Sequence, residues 1–227
     1  SIIIPCYNEE KNLPLLLDRC KLLLKAPDIE IIIVNNGSTD NTENVLHKLL
    51  LEYPSCRIVK IIKNKGYGFG ILEGLKVARG DILGWTHADM QTDPQDVLQG
   101  LQLFNEIDKK LFVKGVRNGR PFKDNIFTFG MSIFESIYFK RIMWDINAQP
   151  TMFSRSLYEN WEHPPSDFSL DLYAYYKAQI HDFNIRRFKV KFGERAYGVS
   201  HWNIDWYSKW KFITRTVRYS IKLKKDI

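Results

Sequence analysis

The stretch GWTHADMQTDP, residues 84–94, places three polar side chains at every second position: His87, Asp89 and Gln91. Alternate side chains of an extended segment point the same way, so these three can converge on one divalent cation. Hard cations such as Mg²⁺ and Mn²⁺ take few protein ligands and complete their shell with water and phosphate oxygens. The spacing therefore predicts a Mg²⁺ or Mn²⁺ site beside a bound phosphate. A polar loop in which Asp93 caps the next helix is the alternative.

Strands and helices alternate along the first half of the chain and place this stretch after a buried strand. The pattern predicts strands at 1–5, 29–34, 57–62, 81–85 and 111–116, and helices at 9–25, 41–53, 69–80 and 94–105. Continuous Ile and Val runs indicate strands buried on both faces, which is typical of a mostly parallel sheet in an α/β domain. The second half predicts helices at 125–143, 167–179 and 206–226 and a strand at 185–192.

Polar loops follow each of the first five predicted strands. In chain order they read PCYNEE, NNGSTDNT, NKGYGFG, THADMQ and RNGRP. Ligands of open parallel α/β sheets bind outside the carboxyl ends of the strands, so five such loops on one edge predict a binding site there.

The composition of the chain limits the classes of partner that we expect it to bind. The chain has 227 residues, 44% of them hydrophobic, and a net charge of +7, which predicts one folded domain that meets an anionic partner or has a basic surface. Cys6, Cys20 and Cys56 lie far apart, which favours reduced thiols and a cytoplasmic protein. The longest uncharged stretch, 125–134, is shorter than the roughly 18 residues that span a bilayer. No nucleic-acid-binding module is recognisable, so we expect no nucleic acid partner.

Four ordered motifs, IIPCYNEE, IIIVNNGSTDNT, NKGYGFGILEGLKVARGD and HADMQTDP, resemble the family 2 glycosyltransferases. The resemblance covers residues 1 to about 120 well and is greatest to the dolichol-phosphate mannose synthases and bacterial polyprenyl-phosphate glycosyltransferases. It implies a GT-A fold, a nucleotide-diphosphosugar donor with UDP or GDP as the nucleotide, a Mg²⁺ or Mn²⁺ ion, and inversion at the anomeric carbon.

The resemblance also assigns residues to the donor. Five positions correspond to nucleotide-binding positions, namely Pro5, Tyr7, Glu9, Asn36 and Gly66, and Arg117 corresponds to a basic position of the phosphate region. Asp89 matches the central aspartate of the metal and diphosphate motif, with Gln91 after it. This chain departs from the family in having Asn35 and Asn36 for two aspartates and His87 for the first aspartate of the metal motif.

The resemblance defines the residues that bind the acceptor less well than those that bind the sugar donor. FGERAYGVSHW, residues 192–202, resembles the family's Arg-x-x-Gly-x-Ser element, and the candidates for contact with an acceptor phosphate are Arg120, Arg155, Arg195 and Ser200. A phosphate acceptor is already anionic and needs no general base, whereas a sugar hydroxyl needs one. Asp167 and Asp171 are the candidate bases, and Asp167 is equally a candidate helix cap.

Two helices raise the question of a membrane. Helix 125–143 is largely apolar, and helix 206–226 is predicted to set Trp206, Trp210, Ile213, Val217 and Ile221 opposite a basic face, which is typical of a helix lying on anionic lipid. Mutual packing of the two helices is the alternative.

These observations predict a glycosyltransferase with a lipid-linked acceptor, peripheral at the inner face of the membrane. Its parts are a donor half at 1–120, an acceptor half at 121–205 and a basic helix at 206–227. Three alternatives stay open: transfer to a soluble saccharide hydroxyl, a nucleotidyltransferase, and a non-catalytic module that only binds nucleotide or membrane.

Overall fold

A computed structural model describes residues 1–53, 55–104, 109–119, 122–198 and 206–225, with 122–127 and 206–209 described by backbone alone. The strands are β1 (Ile2–Cys6), β2 (Ile31–Asn36), β3 (Cys56–Ile61), β4 (Ile82–Trp85), β5 (Leu111–Asn118), β6 (Thr151–Ser154) and β7 (Asn184–Lys191). The helices are α1 (Leu13–Lys25), α2 (Thr42–Glu52), α3 (Tyr67–Val77), α4 (Asp96–Leu101), α5 (Phe122–Phe139), α6 (Arg155–Glu159), α7 (Leu170–Ile180) and α8 (Trp206–Lys225).

The described strands form one seven-stranded sheet in the order β3-β2-β1-β4-β6-β5-β7. Pairs β1–β2, β1–β4, β2–β3 and β5–β7 are parallel, whereas β6 runs antiparallel to both β4 and β5. The prediction of a mostly parallel sheet flanked by helices is confirmed. The carboxyl ends of all the strands except β6 therefore meet at one edge, which also receives the start of β6.

Both faces of the sheet are buried, as the continuous apolar runs of the strands predict. Ile3, Val34 and Trp85 pack on one face against side chains of α3 and α7. Ile4 and Ile33 pack on the other face against side chains of α1, α2 and α4. Because helices pack on both faces of the sheet, the end of each strand is held in place, and so are the loops that follow.

The sequence reading misses two short elements, β6 and α6, which follow each other directly at 151–159. It also extends α3 too far, since the helix ends at Val77 and the backbone N–H of Gly80 donates to the Ser1 hydroxyl instead of capping the helix. Four residues of strand carry too little periodicity to be recognised, so tertiary pairing with β4 and β5 decides the conformation of β6.

Helices α5 and α8 pack on each other. The Ser220 hydroxyl donates to Glu135 Oε1 at 2.8 Å, and both residues are buried. Leu223 is also buried, whereas Trp210 and Ile221 are exposed. The predicted apolar face of α8 is therefore not its packing face, because the helix turns Ser220 and Leu223 inward.

The three cysteines are buried and free of disulfides. None of the helices in the described part of the chain combines the length and the apolar character needed to cross a lipid bilayer.

Candidate functional site

The loops after β1 and β2 are joined by hydrogen bonds at the carboxyl edge of the sheet. The backbone N–H of Thr39 donates to Asn8 Oδ1 at 2.8 Å, and that of Glu9 donates to Thr42 Oγ1 at 2.9 Å. These hydrogen bonds join two loops that are about 30 residues apart in sequence, and we name the joined loops the donor wall. The donor wall carries three residues that are predicted to bind the nucleotide of the sugar donor, namely Pro5, Tyr7 and Glu9.

Asn36 lies behind this wall with its amide orientation fixed. Its Nδ2 donates to the Gly66 carbonyl at 2.9 Å, and its Oδ1 has no hydrogen bond partner among the described residues. A Cβ atom at Gly70 would lie 3.1 Å from Asn36 Nδ2 and 3.4 Å from Pro5 Cβ, so glycine permits this close approach. Pro5, Asn36 and Gly66 are therefore brought together, and the Asn36 Oδ1 is buried.

Asp89 forms the centre of the polar cluster. Arg195 Nη2 lies 3.0 Å from Asp89 Oδ2, and the backbone N–H of Gln91 donates to Asp89 Oδ1 at 3.2 Å. Burial raises the pKa of the neighbouring Glu9, and the charge of Asp89 adds to this rise. Two carboxylates and one guanidinium thus share a largely buried space, in which a cation or a phosphate group would meet complementary charge.

Gln91 and His87 flank Asp89 in the loop after β4 and contact different parts of the protein. The backbone N–H of Gly193 donates to the Gln91 carbonyl at 2.8 Å, which joins the β4 loop to the segment after β7. The His87 ring lies 5.5 Å from the Tyr67 ring. Burial lowers the pKa of His87 although Asp89 and Asp171 oppose the shift, and the neutral imidazole is the form that binds metals.

Asp171 is a buried hub and not an accessible base. Its Oδ1 accepts from Gln149 Nε2 at 2.9 Å and Trp85 Nε1 at 3.2 Å, and it lies 3.4 Å from Lys114 Nζ. Both Lys114 and Asp171 are buried. The expectation that Asp171 serves as a base is therefore corrected, because three donors hold its carboxylate beneath the site.

Asp167 lies at the rim of the site and is about 40% exposed. Its Oδ1 accepts from the backbone N–H of Ser169 at 2.8 Å, immediately before α7 begins. The predicted helix cap by Asp167 is therefore wrong, because Ser169 is the N-cap residue of α7 and the Asp167 contact only closes a turn before the helix. The other oxygen of the carboxylate stays available to a neighbour.

The predicted arginines have different surroundings. Arg195 reaches the site through Asp89, as described. Arg117 lies at the same edge, but its Nε donates to Asp145 Oδ1 at 2.8 Å and its backbone N–H to Asp145 Oδ2 at 2.9 Å. Burial alone would raise the pKa of Asp145, yet Arg117 holds it below its ordinary value. The guanidinium of Arg117 is thus paired with Asp145, and its contact with phosphate stays a prediction.

Arg155 is placed at the opposite edge of the sheet. Its Nε donates to the Gly80 carbonyl at 2.9 Å and its Nη2 to the Ala78 carbonyl at 3.0 Å, both before β4 begins. The expectation of an acceptor contact is corrected, because β6 runs antiparallel and carries its end away from the site. Arg120 and Ser200 lie outside the described residues.

Sequence reasoning missed Lys114, Gln149 and Tyr67. Lys114 Nζ donates to Thr151 Oγ1 at 2.5 Å, and Gln149 Nε2 also donates to the Tyr67 hydroxyl at 3.3 Å. A lysine inside the apolar run LFVKGV is the signal that could have indicated a buried ion pair, since buried lysines require a partner. Nothing in the sequence indicates the roles of Gln149 and Tyr67.

The chemistry of the donor set fits a hard cation with few protein ligands. Among the described residues no group of three or more His, Cys, Asp or Glu side chains surrounds a point where a metal ion could bind. Mg²⁺ and Mn²⁺ are held in many nucleotide sites by one or two carboxylates together with substrate phosphates. Asp89 supplies one such carboxylate, with Gln91 and His87 next to it in the loop.

Known proteins share both the sequence motifs and the fold. An undecaprenyl-phosphate 4-deoxy-4-formamido-L-arabinose transferase of Yersinia pestis (strain Pestoides F) is 39% identical over 103 residues, which cover 43% of this chain and 31% of the relative. The chain thus spans about a third of that relative's length.

Two solved structures share the fold at low sequence identity. The glucosyl-3-phosphoglycerate synthase of Mycobacterium tuberculosis in complex with Mn²⁺ and UDP-glucose is 15% identical with a TM-score of 0.75, covering 97% of this chain and 77% of its own. A mannosyltransferase of Pyrobaculum calidifontis in complex with GDP-Man and Mn²⁺ is 19% identical with a TM-score of 0.71, covering 97% of this chain and 63% of its own. These likenesses confirm the GT-A fold.

The donor wall, the Asp89 loop and six of the seven described strands, β1 to β6, all lie within a region that one family model matches. That model is Glycosyl transferase family 2, and it matches residues 1–158, more than half of the chain. The chain therefore belongs to glycosyl transferase family 2.

Proposed function

We propose that the chain is a metal-dependent glycosyltransferase that moves a sugar from a nucleotide-diphosphosugar to a lipid-linked acceptor. The observation that carries this proposal is the contact of buried Asp89, which lies within the family motif, with partly buried Arg195 beside Glu9 at the carboxyl edge of the sheet. The names of the similar proteins support it, since two bind Mn²⁺ with UDP-glucose or GDP-Man and one is an undecaprenyl-phosphate sugar transferase.

The donor nucleotide is UDP or GDP. Asn36 Nδ2 is committed to the Gly66 carbonyl, so its buried Oδ1 is the atom left to meet a base. An acceptor oxygen pairs with an N–H of the base, and uracil and guanine each present a ring N–H for it. Cytosine presents an amino group instead, so the choice of UDP or GDP rests also on the similar structures, which bind UDP-glucose and GDP-Man. A buried acceptor without a donor is costly, so this contact contributes to the choice of base.

The reaction needs stabilisation of the charge that builds on the departing nucleotide diphosphate. Asp89, with Gln91 and His87 beside it, would hold the divalent cation, which neutralises that charge when it is bound. Arg195 adds a guanidinium at 3.0 Å from Asp89, within reach of the same phosphate groups. The acceptor displaces the diphosphate directly, so the configuration at the anomeric carbon inverts.

The acceptor is a polyprenyl phosphate or a glycan carried on a lipid. A phosphate acceptor needs no general base, and this agrees with the burial of Asp171 under three donors. The alternative is a saccharide hydroxyl. One observation favours it, namely that the Asp167 carboxylate is about 40% exposed at the rim and could accept a proton.

An anionic membrane surface is the partner that the exposed faces of α5 and α8 fit. Phe129, Ile133 and Ile137 recur every four residues on α5 and are exposed, and the Phe129 ring contacts Trp144 at 5.4 Å. We name this set, with Trp144, the apolar stripe. Helix α8 has seven Lys and Arg residues and no acidic residue. An apolar stripe beside a helix of one charge sign is complementary to anionic lipid, so the enzyme would lie at the inner face of the membrane.

A thermal-shift panel tests the donor part of the proposal. Wild type, Asp89→Asn and Asp93→Asn are each measured with UDP, GDP, CDP and dTDP, with and without Mn²⁺. Asp93 is a matched control in the same loop, because its carboxylate pairs with Arg19 on the outside of the protein. We expect UDP or GDP to raise the midpoint only with Mn²⁺, and only Asp89→Asn to abolish the shift.

Absence of a shift with every nucleotide would overturn the donor assignment and favour a non-catalytic module. A shift that survives in Asp89→Asn would move the metal site elsewhere. Once the nucleotide is known, transfer to a short polyprenyl phosphate or to a soluble saccharide separates the two acceptors. Loss of transfer in Asp167→Asn would favour the hydroxyl acceptor.

A further inference from the structure

Helix α8 delivers one arginine to the rim of the candidate site. Arg215 Nε lies 3.7 Å from Asp167 Oδ2. The guanidinium carbon lies 5.5 Å from the centre of the Phe168 ring and 5.2 Å from that of Phe212. Arg215 is one of the basic residues of α8, and packing of the helix turns it toward the loop before α7.

A column of aromatic rings connects this arginine to the metal motif. Phe168 stacks on Tyr67 with ring centres 4.7 Å apart and planes at 9°, and the Tyr67 ring lies 5.5 Å from that of His87. Arg215 is thus separated from His87 by two rings. It lies too far out to hold the diphosphate at Asp89, on the side from which an acceptor would approach.

The surroundings of Arg215 leave it able to bind an anion. Its contact with Asp167 is longer than a hydrogen bond, and both side chains are partly exposed, so the pair is weak and exchangeable. Its Nε is buried and has no hydrogen bond partner among the described residues. Aromatic rings contact the guanidinium, and stacking of this kind holds its plane while the N–H groups point outward in that plane, as bidentate binding of a phosphate requires.

We propose that Arg215 binds the phosphate group of the acceptor and so makes α8 part of the active site. This inference rests on the proposed function, because it assumes a sugar donor seated at Asp89. The bound group is a phosphate monoester or diester. It belongs to the acceptor itself, and the other source of the same chemistry is the headgroup of an anionic lipid.

The test compares Arg215→Gln and Arg215→Lys with Arg218→Gln, a matched loss of charge at an exposed position of the same helix. Transfer to a short-chain polyprenyl phosphate is measured in neutral detergent, with the donor that stabilises the wild type. Loss of a charge-assisted hydrogen bond should raise the KM for the acceptor about 10- to 100-fold in Arg215→Gln. Arg215→Lys should show a smaller rise, and Arg218→Gln none.

Several outcomes would overturn the inference. One is an unchanged acceptor KM in Arg215→Gln, and another is an equal rise in Arg218→Gln, which would reflect overall charge. A defect that appears only on phosphatidylglycerol vesicles, and not in neutral detergent, would assign the headgroup as the ligand. The Mn²⁺- and nucleotide-dependent thermal shift should be the same in all variants. Its absence in the wild type would instead overturn the proposed function, and its retention shows that each variant is folded.

Discussion

Arg195 Nη2 lies 3.0 Å from Asp89 Oδ2, and this contact joins the segment after β7 to the loop after β4. The sequence resemblance places the two residues in different subsites, Asp89 with the metal and Arg195 with the acceptor phosphate. Their contact means that the guanidinium occupies space beside the carboxylate that a cation would share. We therefore expect the two residues to act on the same bound group.

Replacement of Arg195 by methionine should change metal and nucleotide binding in opposite directions. Removing the cation frees the Asp89 carboxylate, so Mn²⁺ alone should raise the melting midpoint more than in wild type. The further shift caused by UDP or GDP should shrink, with affinity lowered roughly tenfold, because the diphosphate loses a charge-assisted contact. Arg19→Met is the control, since Arg19 pairs with Asp93 outside the site. Parallel changes in both shifts would refute this account.

Lys114→Met should destabilise the protein strongly. It leaves the buried Asp171 carboxylate without its cation, and breaking a buried pair in this way costs about 3–5 kcal/mol. The double variant Lys114→Met/Asp171→Asn should recover part of that loss, because no uncompensated charge is left. Urea unfolding of the two single variants and the double variant measures the coupling. Additive effects would mean that the two side chains stabilise the fold independently.

The stability of the protein should depend on the pH through Glu135. Burial raises the pKa of Glu135 from 4.5 to about 7. Between these pH values Glu135 of the folded protein holds a proton that the unfolded chain has released. The contribution of this proton to the free energy of unfolding is fully present below about pH 4.5 and is lost as the pH rises through about 7.

Glu135→Gln stays neutral at every pH and keeps an acceptor for Ser220. Relative to wild type, its free energy of unfolding should rise by about 3 kcal/mol between pH 4.5 and pH 8, as urea unfolding at several pH values would measure. Glu159→Gln, at an exposed carboxylate of α6, should give a constant difference. A constant difference for Glu135→Gln as well would show that the carboxyl is not buried in the folded state.

Ile137→Glu should weaken binding to vesicles that contain phosphatidylglycerol. Ile137 is 73% exposed and belongs to the apolar stripe, and losing the burial of one isoleucine in lipid lowers affinity about 10- to 100-fold. Ile62 is 94% exposed after β3, on a different part of the surface, so Ile62→Glu is the matched control. Flotation of the two variants measures the effect, and equal losses would exclude the apolar stripe as the membrane contact.

The donor half could be predicted from sequence because each of its signals is local. Strand, loop and helix follow one another there, and Pro5, Asn36 and Asp89 each lie at or shortly after the carboxyl end of a strand. The acceptor half could not be predicted to the same depth, because its contacts join distant segments. The pairing of Lys114 with Asp171, the position of Arg155 and the packing face of α8 each depend on a neighbour that only the folded chain supplies.

The order of the strands in the sheet has a consequence for how the protein folds during its synthesis. Strands β1, β2, β3 and β4 lie within the first 85 residues and pair among themselves, whereas β5 pairs with β7 in a register that sets Leu111 opposite Asn184. Because the chain leaves the ribosome amino end first, the donor wall can form early. The β5–β7 pair can form only later, because it requires the closure of a long loop. Asp89 is thus in place before Arg195 can pair with it, and the contact between the two residues forms only after β7 has been synthesised.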